Sequence, residues 1–352
     1  MSEEAAAAED AAVERMDIDL HGVDWRAVLR QSLWVLVPGL LFIPFAASIY
    51  GFIAQPILIF AIIALGYNVM VGWPDMLVFC PAALAIFGGV SSGLLAQAGV
   101  PFLAAFLLGG VAAALLGVLV ALIAVIIRTP FDFVIATLAF EQLVFTGLVI
   151  WAAVGPAGLR LGMVQTPQFA GYVVSGQVAT YVFLLAVLVL AVAVVAAFDN
   201  SLLGTLSVAT GENEDLLTAI GYQPSKYKFV SVVLGAFLLG IGGATYIHVN
   251  DLMVPNSWVL PQTVFLLVII VVGGLRTVHG PVVGALVMVG IPEFSRLFGF
   301  SGLQQYLVGG ALIAIVLFAP RGILGTYQDR VGTSARELAR GVLSTARGDD
   351  RE

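Results

Sequence analysis

Apolar segments of roughly helical membrane length alternate with short polar stretches along most of the chain. A run of about 20 apolar residues can cross the hydrocarbon core of a bilayer as a helix. Ten such segments are present: Ser32–Ile49, Phe52–Val71, Met76–Ala96, Phe102–Ile127, Phe131–Val154, Gln177–Phe198, Phe229–Val249, Leu260–Gly274, Pro281–Phe298 and Leu303–Ala319. Some are short or interrupted by Gly and Pro, as in re-entrant segments. The pattern predicts an all-α, polytopic integral membrane protein with about ten transmembrane helices.

The stretch Ser201–Lys228 is a long polar interruption between two strongly apolar segments. Lipid cannot satisfy its backbone polar groups, so it must lie in water or on a partner. A short helix is predicted inside it, because Asn213 can cap a helix and Gly221 can end one. Three apolar side chains then share one face at helical spacing: Leu216, Leu217 and Ile220. Two interpretations stay open, a solvated loop helix or a helix that docks on a soluble partner.

Composition supports the membrane assignment. Of the 352 residues, 60% are hydrophobic and 11% are charged, and mean hydropathy is +1.04. Soluble domains average about 45–50% apolar and about 25% charged residues. Glycines are abundant, and four of them are predicted to allow close helix contact, Gly235, Gly240, Gly242 and Gly243. The single cysteine, Cys80, excludes an intramolecular disulfide, and Cys80-Pro81 is predicted to break a helix.

The basic residues predict the orientation of the chain. Positive residues flank the cytoplasmic ends of membrane helices, and Arg26 and Arg30 directly precede the first apolar segment. With the N-terminus in the cytoplasm, only Arg160 and Arg296 of the 15 lysines and arginines fall outside. Both termini and the polar stretch are therefore predicted to be cytoplasmic.

The sequence motifs do not support an active site of the kind found in soluble enzymes. The sequence contains no GxxxxGK[ST] phosphate-binding loop and no H-E-x-x-H metal motif. The histidines, His21, His248 and His279, are scattered and predict no metal cluster. The chain is therefore interpreted as a transport protein rather than an enzyme, with energy from a gradient or from another subunit.

Three polar residues inside apolar segments are candidates for a substrate path: Asn68, Thr137 and Glu141. A charge at the bilayer centre costs roughly 2.5–3.5 kcal/mol on insertion scales, so Glu141 should face the protein interior or a wet cavity. A buried structural acid is the alternative for Glu141, and a bond across helices is the alternative for Asn68. Thr137 lies one helical turn from Glu141, and its hydroxyl can instead bond to its own helix.

Short motifs in a fixed order resemble the LivM-type permeases of branched-chain amino-acid ABC importers. The resemblance covers about residues 57–325. It rests on Gly66-Tyr67-Asn68 with Gly72, on Ala82-Ala83, on Thr137-Leu138-Ala139-Phe140 with Gln142, on Gly273-Gly274 and Gly280-Pro281, on Pro292-Glu293, and on Pro320-Arg321-Gly322 with Gly325. The polar stretch resembles the family's cytoplasmic loop at Ser201, Gly204, Ala209, Glu212-Asn213-Glu214, Ala219, Gly221, Tyr227 and Lys228.

The resemblance implies a permease domain at residues 31–325 with a coupling loop at 201–228, between an acidic disordered tail at 1–30 and a cytoplasmic tail at 326–352. It implies a multi-pass protein of the cell membrane whose partners are a second related permease, two ATP-binding subunits and an extracytoplasmic substrate-binding protein. ATP is then bound by the partner subunits, this chain binds no cofactor, and no nucleic acid is involved. The residues that would couple to the ATPase are Glu212, Asn213, Glu214, Leu216, Leu217, Ala219, Ile220 and Gly221.

Several departures from the family pattern leave the substrate open. Arg276 and His279 stand where the family has small or apolar residues. Relatives of this type carry urea, amides or aromatic acids as well as branched-chain amino acids. A gradient-driven secondary transporter and a membrane scaffold without transport activity are the alternative functions.

Overall fold

The computed structural model describes residues 24–127, 129–154, 168–169, 172–173, 176–250, 258, 260–297, 299, 304–319 and 321–326. Within these residues the chain is almost entirely helical, which confirms the all-α prediction. Most of the acidic tail, nearly all of the C-terminal tail, and His21, Arg128 and Arg160 lie outside the described residues.

The helices follow one another with short connections. They are α1 Trp25–Ala46, α2 Ile49–Gly72, α3 Pro81–Gln97, α4 Phe102–Ile126, α5 Pro130–Val154, α6 Gln177–Asp199, α7 Leu202–Glu212, α8 Glu214–Ala219, α9 Pro224–Asn250, α10 Leu260–Gly273, α11 Gly280–Met288, α12 Gly290–Leu297 and α13 Gln304–Phe318. A two-residue antiparallel pairing joins β1, Gln168–Phe169, to β2, Tyr172–Val173.

All ten predicted apolar segments are helical over most of their length. Within the described residues, seven helical stretches are long and apolar enough to cross a membrane: α1, α2, α4, α5, α6, α9, and α11 with α12 together. The helices α3, α10 and α13 contain shorter apolar stretches. The chain is therefore a multi-pass membrane protein, while the count of ten crossings and the side of each terminus stay predictions.

Three helices differ in their bounds from the predicted segments. Helix α1 begins at Trp25 rather than after residue 30, because the Asp24 carboxylate caps it by accepting from the backbone N–H of Arg26 at 3.0 Å. The segment predicted from Met76 becomes helical only at Pro81, as the predicted break at Cys80-Pro81 requires. The segment predicted from Pro281 is divided at Val289. Pro292 explains this division, because it cannot donate to the carbonyl four residues earlier and its ring crowds that carbonyl.

Helix α9 is the centre of the bundle, and α2, α3 and α4 pack directly against it. A Cβ on Gly243 would lie 1.8 Å from the carbonyl oxygen of Ala85 in α3, and one on Gly240 would lie 2.4 Å from the Cβ of Ala113 in α4. These backbones touch, which confirms the prediction that glycines of this segment allow close helix contact. Small residues let helices approach in this way inside membranes.

Candidate functional site

The connection between α2 and α3 contains backbone that is buried and not helical. Val78 and Cys80 are fully buried, and Pro81 is the first residue of α3. Irregular backbone in a membrane protein must find its hydrogen bonds inside the protein. The Tyr67 hydroxyl of α2 donates to the Val78 carbonyl at 2.7 Å, and the Phe79 N–H donates to Thr137 Oγ1 of α5 at 3.1 Å. Hydrogen bonds to two helices, α2 and α5, therefore hold this segment.

Thr137 is fully buried and makes two hydrogen bonds with one hydroxyl. Besides accepting from Phe79, it donates to the carbonyl of Val134 in its own helix at 3.0 Å. The back-bonding expected as an alternative is thus present, together with a bond to the irregular segment. Thr137 positions the start of α3 relative to α5.

Glu141 lies one turn further along the same face of α5, as predicted from the spacing. Its side chain is 4% exposed, and the hydroxyl of Thr263 in α10 donates to Glu141 Oε2 at 2.5 Å. The other buried residues on this face are Phe133, Val144 and Leu148. A carboxylate is therefore held at mid-helix between α5 and α10, in contact with a single neutral donor in the described structure.

Two cavities flank this carboxylate along α5. One, of about 480 Å³, is lined by Phe133 and by Asp75, Glu214 and Lys228. The other, of about 400 Å³, lies between α3, α4 and α5 and is lined by apolar residues that include Val144 and Leu148. The inner face of α5 thus runs from a charged cavity, past Thr137 and Glu141, to an apolar one.

Asn68 lies apart from this site. It is fully buried, and its Nδ2 donates to the carbonyl of Thr277 in the α10–α11 turn at 3.0 Å. Its Oδ1 is buried without a partner among the described residues. The structure therefore gives Asn68 the bond across helices that was the alternative to a path-lining role.

The polar stretch folds into two helices where one was predicted. Asn213 caps α8, since its Oδ1 accepts from the Leu216 N–H at 2.9 Å. Gly221 ends the segment with φ +92°, in the left-handed region that favours glycine. The cap and the ending are confirmed. Helix α7 was missed; Ser201 caps it, and Ser207 Oγ accepts from Ser231 of α9 at 3.0 Å.

The prediction that Leu216, Leu217 and Ile220 share one face was wrong for Leu217. Leu216 and Ile220 are 62% and 63% exposed, whereas Leu217 is 4% exposed. Residues four apart lie on the same side of a helix, but the next residue is turned by about 100°. Leu217 fixes α8 to the bundle, and Leu216, Ala219 and Ile220 remain exposed. We call these three residues the α8 surface.

Arg276 joins the end of α7 to the end of α2 and to the α2–α3 connection. Its Nε donates to the carbonyl of Gly72 at 2.9 Å, its Nη2 lies 3.2 Å from Asp75 Oδ2, and its Nη1 lies 3.8 Å from Glu212 Oε1. Its φ of +61° is uncommon for a residue with a side chain. A second ion pair joins Lys228 of α9 to Glu214 of α8.

The structure gives contacts at the site to three residues that the sequence did not assign to one: Tyr67, Thr263 and Arg276. Tyr67 stood inside a quoted motif, and Arg276 was noted only as a departure from the family pattern. No spacing rule connects Thr263 with Glu141, which is 122 positions away. Signals for Tyr67 and Arg276 were present, whereas the contact of Thr263 required the fold.

Comparisons with known proteins identify the family of this chain. Residues 49–317 match the family model described as "Branched-chain amino acid transport system / permease component". The chain is 23% identical over 299 residues to the high-affinity branched-chain amino acid transport system permease protein LivM of Salmonella typhimurium, covering 77% of this chain and 69% of that one. It is 25% identical over 297 residues to LivM of Escherichia coli K12, with the same coverage. No solved structure matches. Because the family model covers most of the chain, this protein belongs to the permease component family of the branched-chain amino acid transport systems.

Proposed function

We propose that this chain is the membrane-spanning permease subunit of an ATP-driven importer for branched-chain or related amino acids, located in the plasma membrane. The observation that carries the proposal is the family match over residues 49–317, on a chain with seven described helical stretches able to cross a membrane. ATP is hydrolysed on two partner subunits, and a second related permease and an external binding protein complete the importer. The α7–α8 segment and both termini lie in the cytoplasm.

The substrate path follows the inner face of α5. Glu141 is the acidic group on that face, and it lies between the two cavities. A buried carboxylate is stabilised by a cationic partner. An amino acid supplies an ammonium group, whereas urea and simple amides are neutral. Glu141 therefore favours amino-acid substrates among those that relatives carry.

The α8 surface docks in a groove of a cytoplasmic ATP-binding subunit. Helix-in-groove recognition uses apolar side chains three or four residues apart as anchors, a spacing that Leu216 and Ile220 have. Both are more than half exposed at an end of the molecule rich in charged residues. Ala219 lies between them and permits close approach. Next to this surface, Glu212 and Glu214 each supply a negative charge, and Asn213 caps the helix.

Two sets of contacts transmit a displacement of α8 to the rest of the bundle. Glu214 is paired with Lys228 at the start of α9, and Glu212 is near Arg276. Arg276 in turn binds the end of α2 through the Gly72 carbonyl. A displacement of the α7–α8 segment therefore pulls on α9, on α2 and on the turn between α10 and α11 together.

The test uses the complete importer in proteoliposomes, with uptake of radiolabelled leucine and recovery of the ATP-binding subunits as the two measurements. Ile220→Asp and Ala219→Trp should abolish ATP-driven uptake and weaken ATPase recovery, while the permease stays folded. Gln223→Asp is the matched control, because it adds the same charge three residues beyond the α8 surface. Leu217→Asp is unsuitable, since Leu217 is buried and its replacement would test folding.

Normal uptake and normal ATPase recovery in both variants would contradict the docking role. Uptake that follows an ion gradient and persists without the ATP-binding subunits would favour the secondary transporter instead.

A further inference from the structure

An apolar cavity of about 330 Å³ lies between α1, α2, α6 and α11, away from the candidate site on α5. Its walls come from residues 34–42 of α1, 50–61 of α2 and 181–188 of α6, and their polar atoms are two tyrosine hydroxyls and one indole N–H. The Tyr181 hydroxyl already donates to the carbonyl of Gly39 at 3.1 Å. An ordered water needs two to four polar partners. The cavity therefore suits an apolar occupant rather than water.

The cavity is long and narrow. It runs from Trp34 to Phe42 along α1 and from Tyr50 to Ala61 along α2, about 12 and 16 Å at 1.5 Å per residue. Its volume spread over that length gives a mean cross-section of about 20–28 Å². A helix with its side chains is about 10–12 Å wide and covers about 80–110 Å². The space is too narrow for a helix of another subunit and has the proportions of a single hydrocarbon chain.

The opening of the cavity faces the bilayer. Four of its lining residues are between 44% and 53% exposed: Trp34, Tyr50, Leu286 and Phe294. They lie on α1, on α2 and on α11 with α12, and each of these helical stretches is long and apolar enough to cross a membrane. A hydrocarbon chain can therefore enter from the bilayer without crossing water.

A cationic side chain lies beside one end of the cavity. Trp34 marks that end, where it stacks on His279 with the ring centroids 4.8 Å apart. Arg30 precedes Trp34 by one helical turn on the same side of α1. It is exposed and forms no ion pair with another described residue. Guanidinium groups bind phosphate through paired hydrogen bonds. An apolar channel thus ends one turn from a free phosphate ligand.

We propose that this cavity binds one hydrocarbon chain of an anionic phospholipid, with the lipid phosphate bound by Arg30. The cavity matches the chain and Arg30 matches the headgroup, whereas an uncharged apolar molecule would use only the cavity. Helix α1 needs such a filler, because only three of its 22 residues are buried: Val28, Val35 and Ala46. The bound chain fills the space between α1 and the bundle. This inference depends neither on the transported substrate nor on the ATP-binding subunits.

Photoreactive lipids test the proposal on the protein purified in its native assembly and placed in phosphatidylcholine nanodiscs. A trace of phosphatidylglycerol or phosphatidylcholine carries a diazirine in one acyl chain, and peptide mass spectrometry locates the adducts. We expect phosphatidylglycerol to label the cavity wall at Leu58 and Leu188 about fivefold more than phosphatidylcholine does. Leu115 on α4 is 65% exposed and lies outside the cavity, so both lipids should label it equally.

The headgroup contact is tested by Arg30→Gln. One basic residue near the membrane surface contributes about 1 kcal/mol to the attraction of anionic lipid, which corresponds to about fivefold. Labelling of the cavity by phosphatidylglycerol should fall by that factor. Arg26→Gln is the matched control, because Arg26 is exposed on the same helix one turn further from the cavity. It should lower labelling less.

The chain contact is tested by Ala54→Phe, which fills the cavity from the α2 side. This variant should lose labelling of the cavity wall and keep labelling of Leu115. Ala112→Phe is the matched control, because Ala112 is also half-buried but lies on α4 outside the cavity. If Ala54→Phe fails to fold, the comparison of Arg30→Gln with Arg26→Gln decides the outcome.

Four results would overturn the inference. Labelling of Leu115 without labelling of the cavity would exclude a bound chain, and equal labelling of the cavity by both lipids would exclude selection of an anionic headgroup. Equal losses in Arg26→Gln and Arg30→Gln would remove Arg30 as the phosphate ligand. A crosslink from Leu286→p-benzoylphenylalanine to another subunit in native membranes would show that protein covers the opening. The proposed transport function would stand in each case.

Discussion

Helices α9 and α5 have similar lengths, 27 and 25 residues, but they differ in how their side chains and backbones pack. Most of α9 is buried, and its glycines bring its backbone against those of α3 and α4. Helix α5 buries one narrow face, has cavities along it, and carries Glu141 within that face. Close backbone packing leaves no room for a substrate or for a charged side chain. In this protein the close backbone contacts are made by α9, and the candidate site lies on α5, between two cavities.

The largest effect should come from a methyl group added to α9. Gly243→Ala places a Cβ 1.8 Å from the Ala85 carbonyl oxygen, so backbone must move. Overpacking a core costs typically about 1–3 kcal/mol, and a backbone obstacle puts this position at or above that range. The matched change on α5, Gly147→Ala, meets nothing within 4 Å. Thermal unfolding of the purified chain should show a large loss for Gly243→Ala and almost none for Gly147→Ala.

Equal losses of stability in these two variants would break the comparison between the helices. Abundance in the membrane is the second readout, and it should follow the same order.

The next effect concerns transport rather than stability. Glu141→Leu removes the carboxylate proposed to stabilise the ammonium group of the substrate, and hydrogen bonds to charged groups contribute about 1.5–3 kcal/mol, or about 10- to 150-fold. We expect leucine uptake to fall within that range while membrane abundance stays near the wild-type level. Glu141→Gln keeps an acceptor for Thr263 and should lose less.

Thr263→Val serves as the control, because it removes the hydrogen bond and keeps the acid. Wild-type uptake by Glu141→Leu would end the path-lining role, and loss of assembly would support a structural acid instead.

The smallest effect should come from Arg276. Its ion pairs are partly exposed, with side-chain exposures of 63% for Asp75 and 68% for Glu212, and such pairs contribute about 0.2–1 kcal/mol. Arg276→Gln should therefore change stability little but lower uptake per ATP hydrolysed by about twofold to fivefold, since the α7–α8 segment is less firmly joined to α2. Arg296→Gln, which removes the exposed pair with Glu293, is the matched control. An unchanged ratio of uptake to ATP hydrolysis would exclude Arg276 from coupling.

The sequence allowed prediction of features that depend on local chemistry. The ten apolar segments, the Asn213 cap, the turn at Gly221 and the break before Pro81 follow from residue type and near neighbours. The side on which a short helix is buried does not, because Leu216 and Leu217 are equally apolar and only packing against the bundle distinguishes them.

For the same reason, only part of the candidate site could be predicted from the sequence. Thr137 and Glu141 share a helical face, which periodicity reveals. Their partners Phe79 and Thr263 come from other helices, and only the fold brings them together. Helix α7 was missed because its buried side includes Ser207 and Thr210, so that its burial pattern does not show in hydropathy.

The buried position of Cys80 has a practical consequence for spectroscopy. The sequence contains one cysteine, and its thiol is fully enclosed where α3 begins. Thiol-directed spin labels and fluorophores should therefore not react with Cys80 in the native chain. Cysteines introduced in pairs, for example at Gln223 and Leu115, become the only reactive sites, and distances between them can be followed through the transport cycle without replacing Cys80.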